Sequence, residues 1–310
     1  MGVTCIIEPF PSSRSLGGRL FQNTAFARKI QQRVQELGLK PALVQANDHW
    51  EGLLGRVLAK VCQIKSSMLL RSPGMTRDNY IKYDCAQYDF LAAVGDELRE
   101  RAKSWDPGRE IKLIYDGLYT SEFSPPKSKV AVFPKKILVI GSPLDWKGWA
   151  DLTEALFLLQ SKMDFFGYQF DFTGAKPDPA LNDLKLERIS SIKTNFLGRV
   201  ENFKELVLGY DLAINPSREE SFGMAALEVL AFGVPLLSSR TGVIEKVQTS
   251  SAMLFRPNNP AGLANSLSNL MAKWSLIEPN VTDCQKNIMK HFNMEDSAHQ
   301  VFEAYQKLMG

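Results

Sequence analysis

Short apolar and β-branched runs alternate with helical patterns along most of the chain. In the first part of the sequence these runs cover residues 3–7, 42–45, 67–70, 90–94 and 112–115. A second series covers residues 137–140, 169–173, 194–197, 211–215 and 235–238. Such alternation is typical of parallel βαβ units. The pattern therefore predicts an α/β protein with two Rossmann-like, doubly wound domains.

A polar segment with two consecutive prolines, Pro125 and Pro126, separates the two series. Prolines among serines and lysines are typical of a linker. We therefore predict an N-terminal domain over 1–126, which is short, a C-terminal domain over 127–293, and a C-terminal helix over 294–310. Apolar residues recur in that helix at spacings of three and four, which favours packing toward the N-terminal domain. They are Ala298, Val301, Tyr305 and Leu308.

Composition limits the class of protein. Of the 310 residues, 45% are hydrophobic, as in globular proteins. The longest apolar runs are far shorter than the roughly 20 residues that cross a bilayer, and the first residues lack a secretory signal pattern. We therefore expect a cytoplasmic protein. The four cysteines and three histidines show no metal-ligand spacing, so no metal is expected.

Charge is distributed unevenly although the formal net charge is only +3. Residues 1–82 contain 12 Lys or Arg and 5 Asp or Glu. A basic surface suits an anionic acceptor, or peripheral contact with an anionic membrane at its inner face. An ordinary solvated helix surface explains the same charges. Nothing in the sequence indicates a nucleic-acid partner.

Residues 211–233 carry the strongest functional pattern, a strand followed by a tight loop and a helix. Ser221, Phe222, Gly223 and Met224 are predicted to open this helix, whose first backbone N–H groups would be free to bind an anion. In a continuous helix, Glu220 and Glu228 would be separated by roughly 80° and about 12 Å. Two such carboxylates could accept hydrogen bonds from hydroxyls at both ends of a nucleotide sugar. Two solvated glutamates on a surface helix are the alternative.

A second strand-to-helix segment covers residues 137–148. It contains Gly141 and Ser142, and Lys147 is predicted at the start of the helix. A lysine there can place its charge on a diphosphate beside unpaired backbone donors. The spacing is not that of a Walker loop. A solvated lysine in a first helical turn is the alternative.

These segments resemble retaining glycosyltransferases of the GT-B fold, in particular glycosyltransferase family 4 (glycosyl transferases group 1). The resemblance rests on the Glu, seven residues, Glu motif and on flanking segments at 196–200, 205–211, 233–235 and 242–245. It implies two domains facing across a cleft. It also implies that Glu220 contacts the transferred sugar, that 221–224 offer backbone N–H groups to sugar and phosphate, and that Glu228 holds the ribose hydroxyls. Gly174 and Leu197, each just after a strand, complete the predicted donor-binding residues.

The sequence departs from the family pattern at the phosphate loop. Lys147 is in register with the family's lysine, whereas Ser142 stands where arginine is usual. Loss of a guanidinium removes a bidentate phosphate contact. Another basic group substitutes for it, the donor differs, or activity is weak.

Two N-terminal features also match the family. Gly17 and Gly18, predicted to follow the first strand, suit close approach to phosphate or acceptor and are similar to a glycine pair in the family's acceptor-side loop. His49 resembles a histidine of an acidic-histidine loop, and we predict it as a third catalytic residue beside Glu220 and Lys147. A plain turn and a satisfied loop histidine are the alternatives. At Pro73 the family often has histidine.

The function implied is retaining transfer of a hexose-type sugar from a nucleotide-diphosphate sugar to a glycan or lipid-linked acceptor, in polysaccharide or glycolipid synthesis. UDP is the expected nucleotide and GDP the next, with no cofactor besides the donor substrate. Two alternatives stay open. One is a non-catalytic nucleotide-sugar-binding protein or partner subunit, and the other is an epimerase or phosphorylase of the same fold.

Overall fold

A computed structural model describes residues 16–125, 134–162, 165–178, 184–189, 192–274 and 277–310. They form two compact units. The first contains residues up to Val94, 98–113 and 301–310, and the second contains 95–97 and 114–300. The strand predicted at 3–7 and most of the predicted linker lie outside the described residues.

The first unit contains a four-stranded parallel sheet in the order β1-β2-β3-β4. Its strands are β1 (Leu43–Ala46), β2 (Lys65–Leu70), β3 (Phe90–Ala93) and β4 (Lys112–Leu113). Its helices are α1 (Leu16–Glu36), α2 (Gly52–Cys62), α3 (Arg77–Lys82) and most of α4 (Asp96–Trp105). Five of the six β2 residues are buried, as expected for a strand inside a parallel sheet.

The core of the first unit lies between this sheet and its helices. Its largest fully buried side chains include Met68, Leu70, Met75 and Tyr88. The end of the last helix also belongs to this unit: the Tyr305 hydroxyl lies 3.0 Å from Ser67 Oγ and hydrogen-bonds Gln45. The Tyr305 ring packs edge-on against Phe90. The last ten residues therefore contact β1, β2 and β3.

The second unit contains a six-stranded parallel sheet in the order β10-β9-β8-β5-β6-β7. Its strands are β5 (Lys136–Val139), β6 (Gln169–Phe172), β7 (Lys193–Phe196), β8 (Leu212–Asn215), β9 (Leu236–Ser239) and β10 (Leu254–Phe255). Its helices are α5 (Trp149–Leu159), α6 (Phe203–Leu208), α7 (Met224–Ala231), α8 (Ile244–Val247), α9 (Pro260–Ala272), α10 (Ile277–His291) and the start of α11 (Met294–Met309). Within the described residues, no helix is long and apolar enough to span a bilayer.

The strand order reverses between β5 and β8. The chain runs outward from β5 to β6 and β7, then returns to β8 on the other side and continues to β9 and β10. In open parallel sheets, ligands bind beyond the carboxyl ends of the strands at such a reversal. The loops that follow β5 and β8 are therefore the expected ligand-binding region of this sheet.

Most predicted strands agree with the observed ones within two residues, while β10 has no counterpart among the predictions. The predicted stripe on the last helix is half-buried at Val301, Tyr305 and Leu308, but Ala298 is exposed. Gly17 and Gly18 lie in the first turn of α1 rather than in a loop before it. The expected loop geometry for this pair is therefore wrong, because the helix begins at Leu16.

Candidate active site

A groove of about 450 Å³ lies beyond the carboxyl ends of β5, β6 and β7. It includes four of the predicted binding residues, Gly141, Ser142, Lys147 and Gly174. Its other lining residues are Ile140, Thr173, Ala175, Gly198, Arg199, Val200, Phe203 and Ala225. The groove therefore extends from the start of α7 across the ends of three neighbouring strands.

Glycines keep one wall of this groove open. Gly141 and Gly174 have φ values of +129° and +150°, which L side chains rarely adopt. A Cβ atom on either residue would come within 3.2 Å of the buried Trp149 indole. Side chains here would therefore strain the backbone and crowd the wall.

Lys147 lies in a 3-10 turn after β5, two residues before α5 begins. Its Nζ lies 2.5 Å from Glu220 Oε1, and the two side chains are only 15% and 14% exposed. The Trp146 ring centroid is 4.0 Å from the same ammonium group. The structure thus brings together two predicted catalytic residues that are 73 positions apart in the chain.

Glu220 lies in the loop after β8 and not in the helix. Helix α7 begins at Met224, and Gly223 caps it with a φ of +91°. The helical geometry expected between Glu220 and Glu228 is therefore wrong, since only Glu228 is on the helix. Ser217 Oγ lies 2.8 Å from the same carboxylate oxygen, Glu220 Oε1.

The amino end of α7 has the features of an anion site. The N–H groups of its first residues have no partner one turn back within the helix. Among the described residues beyond its own chain neighbours, no atom lies within 4 Å of a Cβ position at Gly223, so a ligand can approach the backbone there. Ser221 Oγ is buried and has no hydrogen-bond partner within the described chain. The Phe222 ring packs edge-on against Phe292.

Glu228, in the second turn of α7, differs electrostatically from Glu220. Burial, and secondly the negative charge of Glu122, raise the pKa of Glu228 to about 7. Without a ligand, this carboxyl group is therefore largely protonated in mildly acidic solution.

The structure adds a residue that the sequence did not single out, Arg218. Its Nε and Nη2 donate to the two carboxylate oxygens of Asp151 at 2.9 and 2.7 Å, and Nη1 donates to Asp145 at 2.6 Å. The hydrogen bonds with Asp151, foremost, raise the pKa of Arg218. Arg199 lines the groove together with Lys147, and the sequence analysis did not single it out either.

Of the remaining predicted residues, Leu197 belongs to the second unit, and His49, Gly17 and Gly18 belong to the first. Leu197 follows β7, where its N–H donates to Phe172 O at 3.0 Å, and its side chain is half-buried. His49, in the first unit, is fully buried between Trp50 and Tyr83. Its Nδ1 lies 3.1 Å from Asp48, and its Nε2 has no partner in the described chain. A catalytic role for His49 stays a prediction, as does the binding of phosphate or acceptor by Gly17 and Gly18.

Residues 134–273 match the family described as Glycosyl transferases group 1. The uncharacterized glycosyltransferase MJ1607 of Methanocaldococcus jannaschii is 24% identical over 91% of this chain and 80% of that protein. Glycogen synthase of Mycobacterium tuberculosis is 23% identical over 69% of this chain, and the match spans only 52% of that enzyme.

Among solved structures, Anabaena Alr3699/HepE in complex with UDP and glucose aligns with a TM-score of 0.76. It is 16% identical, and the alignment covers 96% of this chain and 84% of that one. The two parallel-sheet α/β units therefore have the GT-B fold, as predicted. The family match over residues 134–273 and the named relatives support a GT-B glycosyltransferase of the family 4-like type.

Proposed function

We propose that the protein transfers a hexose-type sugar from a nucleotide-diphosphate sugar to a glycan or lipid-linked acceptor, with retention of anomeric configuration. The observation that carries the donor assignment is the Lys147–Glu220 pair beside the open amino end of α7, at one end of the groove. A diphosphate there would meet an ammonium group and unpaired backbone N–H groups.

The length of the groove supports this orientation of the donor. Neighbouring strands lie about 4.8 Å apart, so a groove from the end of β5 to that of β7 covers about 10 Å. That distance suits a nucleoside extending away from the diphosphate, with its base toward Arg199 and Val200.

The chemistry assigned to these residues is electrostatic. As the sugar–phosphate bond breaks, negative charge grows on the departing diphosphate, and Lys147 and the α7 N–H groups stabilise it. Glu220 accepts hydrogen bonds from the sugar hydroxyls and orients the ring.

UDP is the favoured nucleotide of the donor and GDP the next. The complex of the HepE neighbour with UDP and glucose supports UDP. The acceptor is proposed only as a class, and the exposed basic residues Arg28, Lys29 and Arg33 on α1 suit an anionic, lipid-linked one.

A second candidate function is nucleotide-sugar binding without turnover. Ser142 favours it, because the phosphate loop has lost the arginine usual in the family. The two functions differ in whether donor is consumed.

Thermal-shift measurements with UDP, GDP and their hexose conjugates, followed by product analysis with the donor alone, test the proposal. We expect stabilisation by one nucleotide diphosphate and slow release of free sugar. The Glu220→Ala variant should lose sugar release at least about 100-fold while its circular dichroism spectrum is unchanged. Near wild-type turnover in this variant would exclude Glu220 from the mechanism, and binding without any turnover in the wild type would favour the second candidate.

A further inference from the structure

The loops after β5 and β8 are in direct backbone contact. A Cβ atom on Gly148 would overlap the Pro216 carbonyl oxygen, so only glycine allows this approach. Two positions away along each loop, the Arg218 N–H donates to Trp146 O at 2.8 Å. The neighbours of Lys147 on both sides are thereby fixed against the loop that carries Glu220.

The Arg218 side chain adds a second connection between the same loops. It forms the bidentate pair with Asp151 in the first turn of α5 and reaches Asp145 in the 3-10 turn that contains Lys147. The Arg218 and Asp151 side chains are only 25% and 11% exposed. A planar guanidinium in two parallel hydrogen bonds holds direction as well as distance, which a lysine cannot reproduce.

We propose that Arg218 is a positioning residue that sets the contact between Lys147 and Glu220. It acts through the loop backbone and the two aspartates, and it does not touch the donor. Arg218 is two residues from Glu220, and its partners Asp145 and Asp151 flank Lys147 in sequence. Displacing this guanidinium therefore moves both members of the catalytic pair relative to each other.

The first test needs no ligand. Amine labelling of the folded protein, followed by peptide mass spectrometry, measures how well Lys147 is paired. In Arg218→Lys, which keeps the charge but loses the bidentate geometry, Lys147 labelling should rise by about threefold or more. Arg188→Gln is the matched control, since Arg188 also pairs with an α5 carboxylate, Glu154, and should leave Lys147 labelling unchanged. Unchanged labelling in folded Arg218→Lys would overturn the inference.

The second test rests on the proposed function and uses a double-mutant cycle. Affinities for UDP and uridine are measured calorimetrically in wild type, Arg218→Lys, Lys147→Ala and the double variant. Arg218→Lys should weaken UDP binding by about tenfold and uridine binding less than about twofold, with no further loss in the Lys147→Ala background. Additive losses, or equal losses for UDP and uridine, would mean a general structural role. If wild type binds neither UDP nor GDP, the proposed function fails while the labelling result still decides the role of Arg218.

Discussion

At the scale of single residues, the two acidic side chains of the family motif are in different electrostatic states. Glu220 is an ionic partner of Lys147 at 2.5 Å, whereas the pKa of Glu228 is raised to about 7 by burial and by Glu122. One motif therefore contains a paired carboxylate and a carboxyl group that favours its neutral form. Ionisation of the buried Glu228 carboxyl group therefore lowers the stability of the folded state.

The sign of this cost gives a pH-dependent prediction. Because the pKa of Glu228 is higher in the folded than in the unfolded chain, stability falls as the pH rises from about 4.5 to about 7 and stays lower above that range. Glu228→Gln should therefore raise the free energy of unfolding by about 2 to 3 kcal/mol at pH 8, and the gain should shrink toward pH 5.

Urea denaturation without ligand at several pH values measures this gain. The exposed Glu245→Gln serves as control, since its carboxylate pairs with Arg240 at the surface. A gain for Glu228→Gln of equal size at pH 5 and pH 8 would contradict the assigned pKa.

At the scale of elements, the sequence predicted the strands well because most of them are short apolar or β-branched runs between helical patterns. The two-residue β10 is too short to show any periodicity. The loops after β5 and β8 were also identified, through Lys147 and Glu220. Sequence could not show that Arg218 pairs with Asp151, since the two are 67 positions apart. Nor could it show that α7 begins only at Met224, because the left-handed cap at Gly223 is set by the surrounding loops.

A comparison of Gly148 with Gly198 distinguishes the stability cost of backbone strain from that of close packing. Both have positive φ values, +67° and +69°, but only Gly148 faces another backbone, at Pro216 O. Gly198→Ala should therefore cost about 1 kcal/mol of stability, from the left-handed conformation alone. Gly148→Ala should cost about 3 kcal/mol or more, because the two loops must also move apart.

Urea midpoints of the two variants, measured without ligand, test this difference. Similar losses in both variants would indicate that the contact at Pro216 relaxes without cost. The two loops would then not be rigidly joined.

At the scale of the whole molecule, the chain does not divide into two consecutive halves. Residues 301–310, which follow the second unit in sequence, belong to the first unit. Tyr305 contributes a ring contact to Phe90 and a hydroxyl contact to Ser67. The apolar spacing in the sequence predicted that this helix would pack on a domain, but the hydroxyl contacts become visible only in the folded chain.

Truncation after Gln300 should therefore destabilise the first unit selectively. We expect amide hydrogen exchange in β1, β2 and β3 to accelerate by about tenfold or more, while β5 and β8 keep their protection. Tyr305→Phe, which removes only the hydroxyl, should show a smaller change in the same strands. Equal acceleration in both sheets would show that the last ten residues stabilise the chain as a whole.

The close approach of Lys147 to Glu220 has a consequence for selectivity. An ammonium already matched by a carboxylate presents almost no net charge to its surroundings, so chloride or free inorganic phosphate gains little by entering. A molecule that separates the pair must compensate both partners at once, with an anionic group for the lysine and hydroxyl donors for the acid. Sugar and phosphate joined in one molecule meet this requirement, and abundant small ions do not.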